Sequence, residues 1–126
     1  MKGKKETQTN KLVQFVIEGI FKKMGKEVAV LDLSGIENSI CSRFVIAHGD
    51  SSSQVSAIAE SVVDVVRKRS KEKPLHTDGM THANWILLDY SDVVVHIFQE
   101  SVRRLYNLED LWADAKIEKI EDELAI

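Results

Sequence analysis

Four histidines (His48, His76, His82 and His96), one cysteine (Cys41) and 20 acidic side chains are the groups in this chain that could ligate a metal, move a proton or act as nucleophile. A helical metal site asks for ligands one turn apart, and a thiolate site asks for a second cysteine close by. No two histidines have that spacing and Cys41 stands alone, so no metal or other cofactor is expected. His96 lies among valines, where a hydrogen-bonded structural imidazole is the expected role. Metal-assisted nucleotide transfer would want two carboxylates one residue apart on a strand, both turned to one face. Asp32 has no such neighbour, Asp89 and Asp92 are three apart across a turn, and Glu121 with Glu123 lies near the end of the chain. Serine–histidine–acid and cysteine–histidine arrangements have no local support. One loop does have an anion-binding composition. Ala47-His48-Gly49-Asp50-Ser51-Ser52-Ser53-Gln54 places a glycine and three hydroxyls ahead of a helix start. It lacks a Lys-Ser/Thr pair and further glycines, and Ser51 with Gln54 has capping-box spacing, so helix capping is the competing account.

These residues must be positioned by elements that the apolar pattern predicts. Val13, Val16, Ile17, Ile20, Phe21 and Met24 recur three and four apart, which predicts an amphipathic helix over Thr9–Met24 with Gly25 as its C-cap. Glu27–Leu33 and Phe44–Ala47 are short, β-branched and apolar, as buried strands are. A second helix follows Ser51, burying Val55, Ile58, Ala59, Val62, Val63 and Val66 and ending on Arg67, Lys68 and Arg69 before Pro74. Leu75–Thr77 suits a short edge strand. Asn84–Asp89 and Asp92–Phe98 are separated by two residues, which predicts an antiparallel hairpin because a parallel crossover needs a dozen or more. Glu100–Leu111 has helical spacing with a break near Asn107, and Lys116–Ile126 reads as a charged, weakly amphipathic helix. The order of elements implies an α/β fold, a mixed β-sheet flanked by helices.

The chain of 126 residues is 44% hydrophobic and 29% charged, values of one globular domain that exclude collagenous and wholly disordered readings. No apolar run exceeds four residues, against ~20 for a bilayer span, so no membrane role is expected. The single cysteine and the lack of a signal-type apolar run before Gly25 predict a cytoplasmic setting. A net charge of −3 argues against broad or specific DNA binding through phosphate neutralisation. That charge is unevenly spread. The first 26 residues hold seven lysines against two glutamates, a candidate rRNA contact, whereas residues 84–126 hold ten acidic against four basic side chains. An acidic surface of this kind suits a basic protein partner.

Within Asn84–Tyr90, alternation puts Trp85, Leu87 and Asp89 on one face and Ile86, Leu88 and Tyr90 on the other. A tryptophan sharing a face with an aspartate is interface composition, and truncating such an anchor costs roughly 2–4 kcal/mol. The residues alone leave Trp85 equally open to a core role. Tyr106 and Trp112, at helix-face spacing, are expected in the core.

The run Trp85-Ile86-Leu87-Leu88-Asp89-Tyr90-Ser91-Asp92-Val93-Val94-Val95-His96-Ile97-Phe98, followed by Arg103-Arg104-Leu105-Tyr106-Asn107-Leu108-Glu109-Asp110-Leu111-Trp112, closely resembles the signature of the bacterial ribosomal silencing factor, or Iojap-like, family. Val30–Gly35, Phe44–Gly49 and Ser51–Val55 fit the same pattern in order. The similarity covers about residues 9–114, so the domain is taken as 1–114 and residues 115–126 as an acidic C-terminal tail. The resemblance implies a nucleotidyltransferase-like α/β fold and a translation factor that is not an enzyme. It also implies binding to large-subunit ribosomal protein fourteen, blocking association with the small subunit and repressing translation when nutrients are short. Carried onto this chain, the partner-binding positions are Trp85, Leu88, Asp89, Tyr90 and Asp92, with Arg104 and Tyr106 beside them. The chain departs from the family in two places. Ser91 replaces the usual turn glycine, so a turn without positive φ is expected. Asp78-Gly79 replaces the usual Glu-Gly before the tryptophan. Two other readings remain: an enzyme holding a nucleoside triphosphate at Gly49–Ser53, and a homodimeric adaptor acting through the exposed hairpin edge. The sequence leaves monomer and homodimer equally open.

Overall fold

The computed structural model describes residues 2–39 and 41–121. In chain order its elements are α1 (Lys2–Lys22), β1 (Lys26–Asp32), β2 (Arg43–Gly49), α2 (Ser52–Ser70), β3 (His76–Asp78), β4 (Trp85–Asp89), β5 (Val93–Gln99), α3 (Glu100–Tyr106), α4 (Leu108–Leu111) and β6 (Lys116–Ile120). The strands make one sheet in the order β3-β4-β5-β2-β1-β6. β2 and β5 run parallel, their long connection supplied by α2 and the β3–β4 hairpin, and the remaining pairs are antiparallel. This is the mixed sheet flanked by helices that the element order predicts.

Period-two alternation sorts the strands onto two faces. Val28, Val30, Val45, Ala47, Ile86, Leu88, Val93, Val95 and Ile97 point under α1 and α2, where they meet Val16, Ile20, Val55, Ile58 and Val62. The helices approach closely because Gly19 offers no side chain: a Cβ there would sit 2.6 Å from Val62 Cα. Ser61 Oγ donates to the Gly19 carbonyl at 2.7 Å across the same contact. On the opposite face Ala29, Leu31, Phe44, Ile46, Val94 and Phe98 gather with Leu108, under the much shorter α3 and α4.

Three local expectations change. Residues 116–120, read as a weak helix, form β6, paired with β1 from Lys116↔Asp32 to Ile120↔Val28. Their alternation was hidden because the strand is exposed along most of its length and buries no continuous stripe. The first helix starts seven residues earlier than Thr9, and Met24 (φ 61°), rather than Gly25, takes the left-handed conformation after it. Gly25 instead makes room for Ile20, whose Cγ2 would lie 2.3 Å from an added Cβ. Ser91 adopts φ 75° after all. The hairpin turn keeps its left-handed geometry, supported by a 2.8 Å bond from the Ser91 amide to Asp89 Oδ1.

Candidate functional site

The α3–α4 side of the sheet carries an aromatic layer in which Phe44, His96 and Phe98 are buried while Trp85 and Leu87 stay half-exposed. β5 presents His96 and Phe98 there, β4 presents Trp85 and Leu87, and β2 presents Phe44. The half-buried Trp85 ring lies 4.9 Å from Phe98 and 4.7 Å from Tyr106, centroid to centroid. Its indole Nε1–H donates to His96 Nδ1 at 3.2 Å, which fixes the ring orientation. The remaining His96 proton is therefore on Nε2, which is buried and without a partner among the described residues. Burial beside Phe44, 4.6 Å away, holds the His96 pKa down to about 4, so the imidazole is neutral at physiological pH. Phe44 in turn packs edge-on against Trp112 at 5.7 Å. Outside this layer Leu105, Tyr106 and Leu111 are 77%, 53% and 72% exposed, forming an apolar crest on α3 and α4. Asp110 and Asp114, on and just after α4, are exposed as well.

The predicted partner-binding residues divide. Trp85 and Tyr106 come together on the crest side, with Asp89 half-buried on the same face of β4. Arg104 is exposed but tied to Glu27 at 2.5 Å and Glu100 at 3.5 Å, toward the β1 end of the helix. Asp92 sits in the turn, its carbonyl accepting from the Ser42 and Arg43 amides at 2.9 and 3.0 Å. Leu88 and Tyr90 are a correction. Leu88 is wholly buried and Tyr90 nearly so, on the face under α2, with the Tyr90 phenol pushed up to about 12 by burial. Strand alternation sends them away from Trp85, to the opposite face of the sheet. Tyr106, expected in the core, is instead on the surface.

The family model described as "Ribosomal silencing factor during starvation" matches residues 6–125. A ribosomal silencing factor of Halalkalibacterium halodurans is 37% identical over 110 residues, 87% of this chain and 92% of that protein. That of Bacillus subtilis is 38% identical over 95 residues, 75% and 79% of the two chains. A crystal structure of a Chromobacterium violaceum protein superposes with a TM-score of 0.78 at 30% identity, covering 92% of this chain and 95% of that one. The chain belongs to the ribosomal silencing factor family. The match runs through β6 to residue 125, past the limit of about 114 drawn from motifs alone.

Two further places in the molecule invite chemistry. At the Gly49–Ser53 loop, the Gln54 amide is capped by Ser51 Oγ at 3.1 Å and the Asp50 amide donates to Gln54 Oε1 at 2.7 Å. The Gln54 side chain crosses the loop to the Lys23 and Met24 carbonyls, both at 3.2 Å. A phosphate would have to displace Gln54 and sit beside the Asp50 carboxylate, so the geometry favours capping. Elsewhere Glu27, His48 and Glu100 bring ligand atoms within 4.8 Å of one another. Arginine only donates, so the 3.1 Å contact from Arg103 Nη1 makes His48 Nδ1 the acceptor and leaves the ring proton on Nε2. That nitrogen faces Glu27 at 3.5 Å and Glu100 at 3.4 Å. A metal would have to displace the Nε2 proton and the Arg104 guanidinium that already neutralises both carboxylates. Burial and Arg103 keep the His48 pKa below its ordinary value, consistent with a neutral ring. Cys41 is buried, its thiol pushed up to about 11, which leaves it inert at neutral pH.

Leu105 and Leu111 are the site residues that sequence reasoning missed. Val102, Leu105, Leu108 and Leu111 share a three-residue spacing, which drifts roughly 60° per step around a helix and cannot keep all four on one face. Asn107, left-handed at φ 47°, breaks the helix and turns Leu108 inward, leaving its neighbours on the outside.

Proposed function

We propose that this protein binds the large ribosomal subunit through ribosomal protein fourteen and sterically blocks the small subunit, repressing translation under nutrient limitation in the cytoplasm. The observation that carries the reading is the crest: Tyr106 exposed against a half-buried, hydrogen-bonded Trp85, with Leu105 and Leu111 exposed on the same two short helices and carboxylates among them in sequence. An apolar centre with an aromatic anchor and a charged edge is the anatomy of a protein interface, and the sign of the edge suits a basic ribosomal protein. No bond need be made or broken. A domain of 14.2 kDa seated at the inter-subunit face need only occupy volume that the small subunit requires, over an interface of ~1,200–2,000 Å². Trp85, Asp89 and Tyr106 contribute to this surface, Asp92 and Arg104 lie at its margins, and Leu88 and Tyr90 support it from behind.

A second contact belongs to the same reading. α1 and α2 are antiparallel, with Gln54 at the Lys23 end and Gln8, Lys11 and Leu12 lining a groove with Arg69 and Ser70, so Lys11 lies at the same end as Arg67–Lys73. That basic end suits rRNA phosphate and would make binding weaken with salt. Sucrose-gradient sedimentation tests the whole: added protein should travel with large subunits and reduce subunit joining in proportion. Unaltered joining, with protein left at the top of the gradient, ends the proposal.

A further inference from the structure

The crest rides on two very short helices. α3 has seven residues and α4 has four, and helical pieces this short have almost no stability of their own in water. Their apolar footing is also thin, with Leu108 buried and Val102 and Trp112 only partly so. Exposed ties run from Arg104 to Glu27 and from Tyr106 to Trp85, but among the described residues the one buried polar fastening is Arg103. Arg103 is 5% exposed. Its Nε and Nη2 donate to Glu109 Oε1 at 3.1 and 2.6 Å, tying α3 to α4 across the Asn107 break. Its Nη1 donates to the Glu27 carbonyl at 2.7 Å and, more weakly, to that of Lys26 at 3.4 Å. The same nitrogen donates to His48 Nδ1 on β2 at 3.1 Å.

The target on β1 is itself unusual. Pairing between β1 and β2 slips between Lys26 and Ala29, and Glu27 takes φ 48°, so the strand bulges where Arg103 arrives. A bulge turns carbonyls out of the ladder and leaves them in need of donors. Arg103 supplies donors to two of them while its charge is balanced by Glu109 at 23% side-chain exposure.

We propose that Arg103 is the positioning residue of the docking crest: its guanidinium fork sets the placement of α3 and α4 on the sheet, and through them of Leu105, Tyr106 and Leu111 against the partner. The assignment rests on the docking reading and goes beyond it, because Arg103 is buried and acts only through the residues it holds. Lysine carries the same charge but a single nitrogen, and cannot serve Glu109, the bulge carbonyls and His48 at once.

The test uses the full chain with Arg103→Lys. Amide hydrogen exchange over residues 104–112 should accelerate about ten-fold or more while β2 and β5 stay protected, and affinity for purified large subunits should fall about ten-fold. A Leu105→Ala/Leu111→Ala background separates positioning from general damage. There Arg103→Lys should cost less than about two-fold, since the crest it places is already gone. Equal losses in both backgrounds, or unchanged exchange over 104–112, overturn the proposal. If Arg103→Lys unfolds the whole domain, Glu109→Ala, which cuts only the α4 arm, is judged by the same comparisons. Glu109→Gln keeps an acceptor oxygen and should restore most of the loss; failure to do so counts against the clamp. Wild-type protein that does not co-sediment with large subunits removes the docking reading alone, and the exchange result still decides the clamp.

Discussion

The two faces of the sheet solve different problems with the same strands. Under α1 and α2 the inward residues are aliphatic and fully enclosed by helices of 21 and 19 residues. Under α3 and α4 aliphatic residues such as Leu31, Ile46 and Val94 are joined by Phe44, Trp85, His96 and Phe98, and the cover is eleven helical residues in two pieces. Ile86 and Trp85 are neighbours in sequence yet belong to these different worlds. Close packing under long helices supplies stability, while a partly covered aromatic layer leaves rigid apolar surface for a partner. Stability and recognition can thus be changed separately on one strand.

Four measurements would break or sharpen that division. The largest effect belongs to the enclosed face: Leu88→Ala should lower unfolding free energy by about 2–5 kcal/mol in urea titration, with affinity per folded molecule unchanged. A binding loss in folded protein would put Leu88 back in the interface. On the aromatic face, pH should act through His96. Burial holds its pKa at about 4 against an ordinary 6.5, so the unfolded chain binds the proton first. Its contribution to stability is complete above 6.5, declines as pH falls between those values, and levels off below the lower one, a loss on the order of 3 kcal/mol. His48 is shifted in the same direction, so His96→Phe should remove most, not all, of the slope between pH 6.5 and 4. An unchanged slope would mean that folding leaves the His96 pKa where it stands in the unfolded chain.

Trp85→Ala should weaken large-subunit binding ten-fold or more, on the ~2 kcal/mol scale of an anchor residue, in co-sedimentation. Undiminished affinity in a folded variant would assign Trp85 to the core and leave the crest to Tyr106 and the leucines. The smallest effect is a gain. Ser91→Gly relieves a left-handed serine at φ 75° and should raise stability by about 0.5–1 kcal/mol without touching affinity. A loss there would show that the Asx-type turn depends on the serine.

Much was legible in the chain without its fold. The α1 and α2 stripes, the Ser51 cap and the β4–β5 hairpin all follow from spacing within a dozen residues, because periodicity records which way adjacent side chains point. Alternation even separated Trp85, Leu87 and Asp89 from Ile86, Leu88 and Tyr90, although motif resemblance then drew Leu88 and Tyr90 into the partner surface. A motif marks which residues belong together and is silent on which of them face water.

Local pattern also determined that a break falls near Asn107 and that the C-terminal third is acidic. Only the tertiary structure decided that 116–120 would find β1, that Leu105 and Leu111 would stay outside while Leu108 turned in, and that Arg103 would reach a bulge some 76 residues away in sequence. The reason is physical: helix and strand periods are set by neighbouring bonds, whereas coverage and edge pairing depend on what arrives from far along the chain, and no spacing within a segment encodes that arrival.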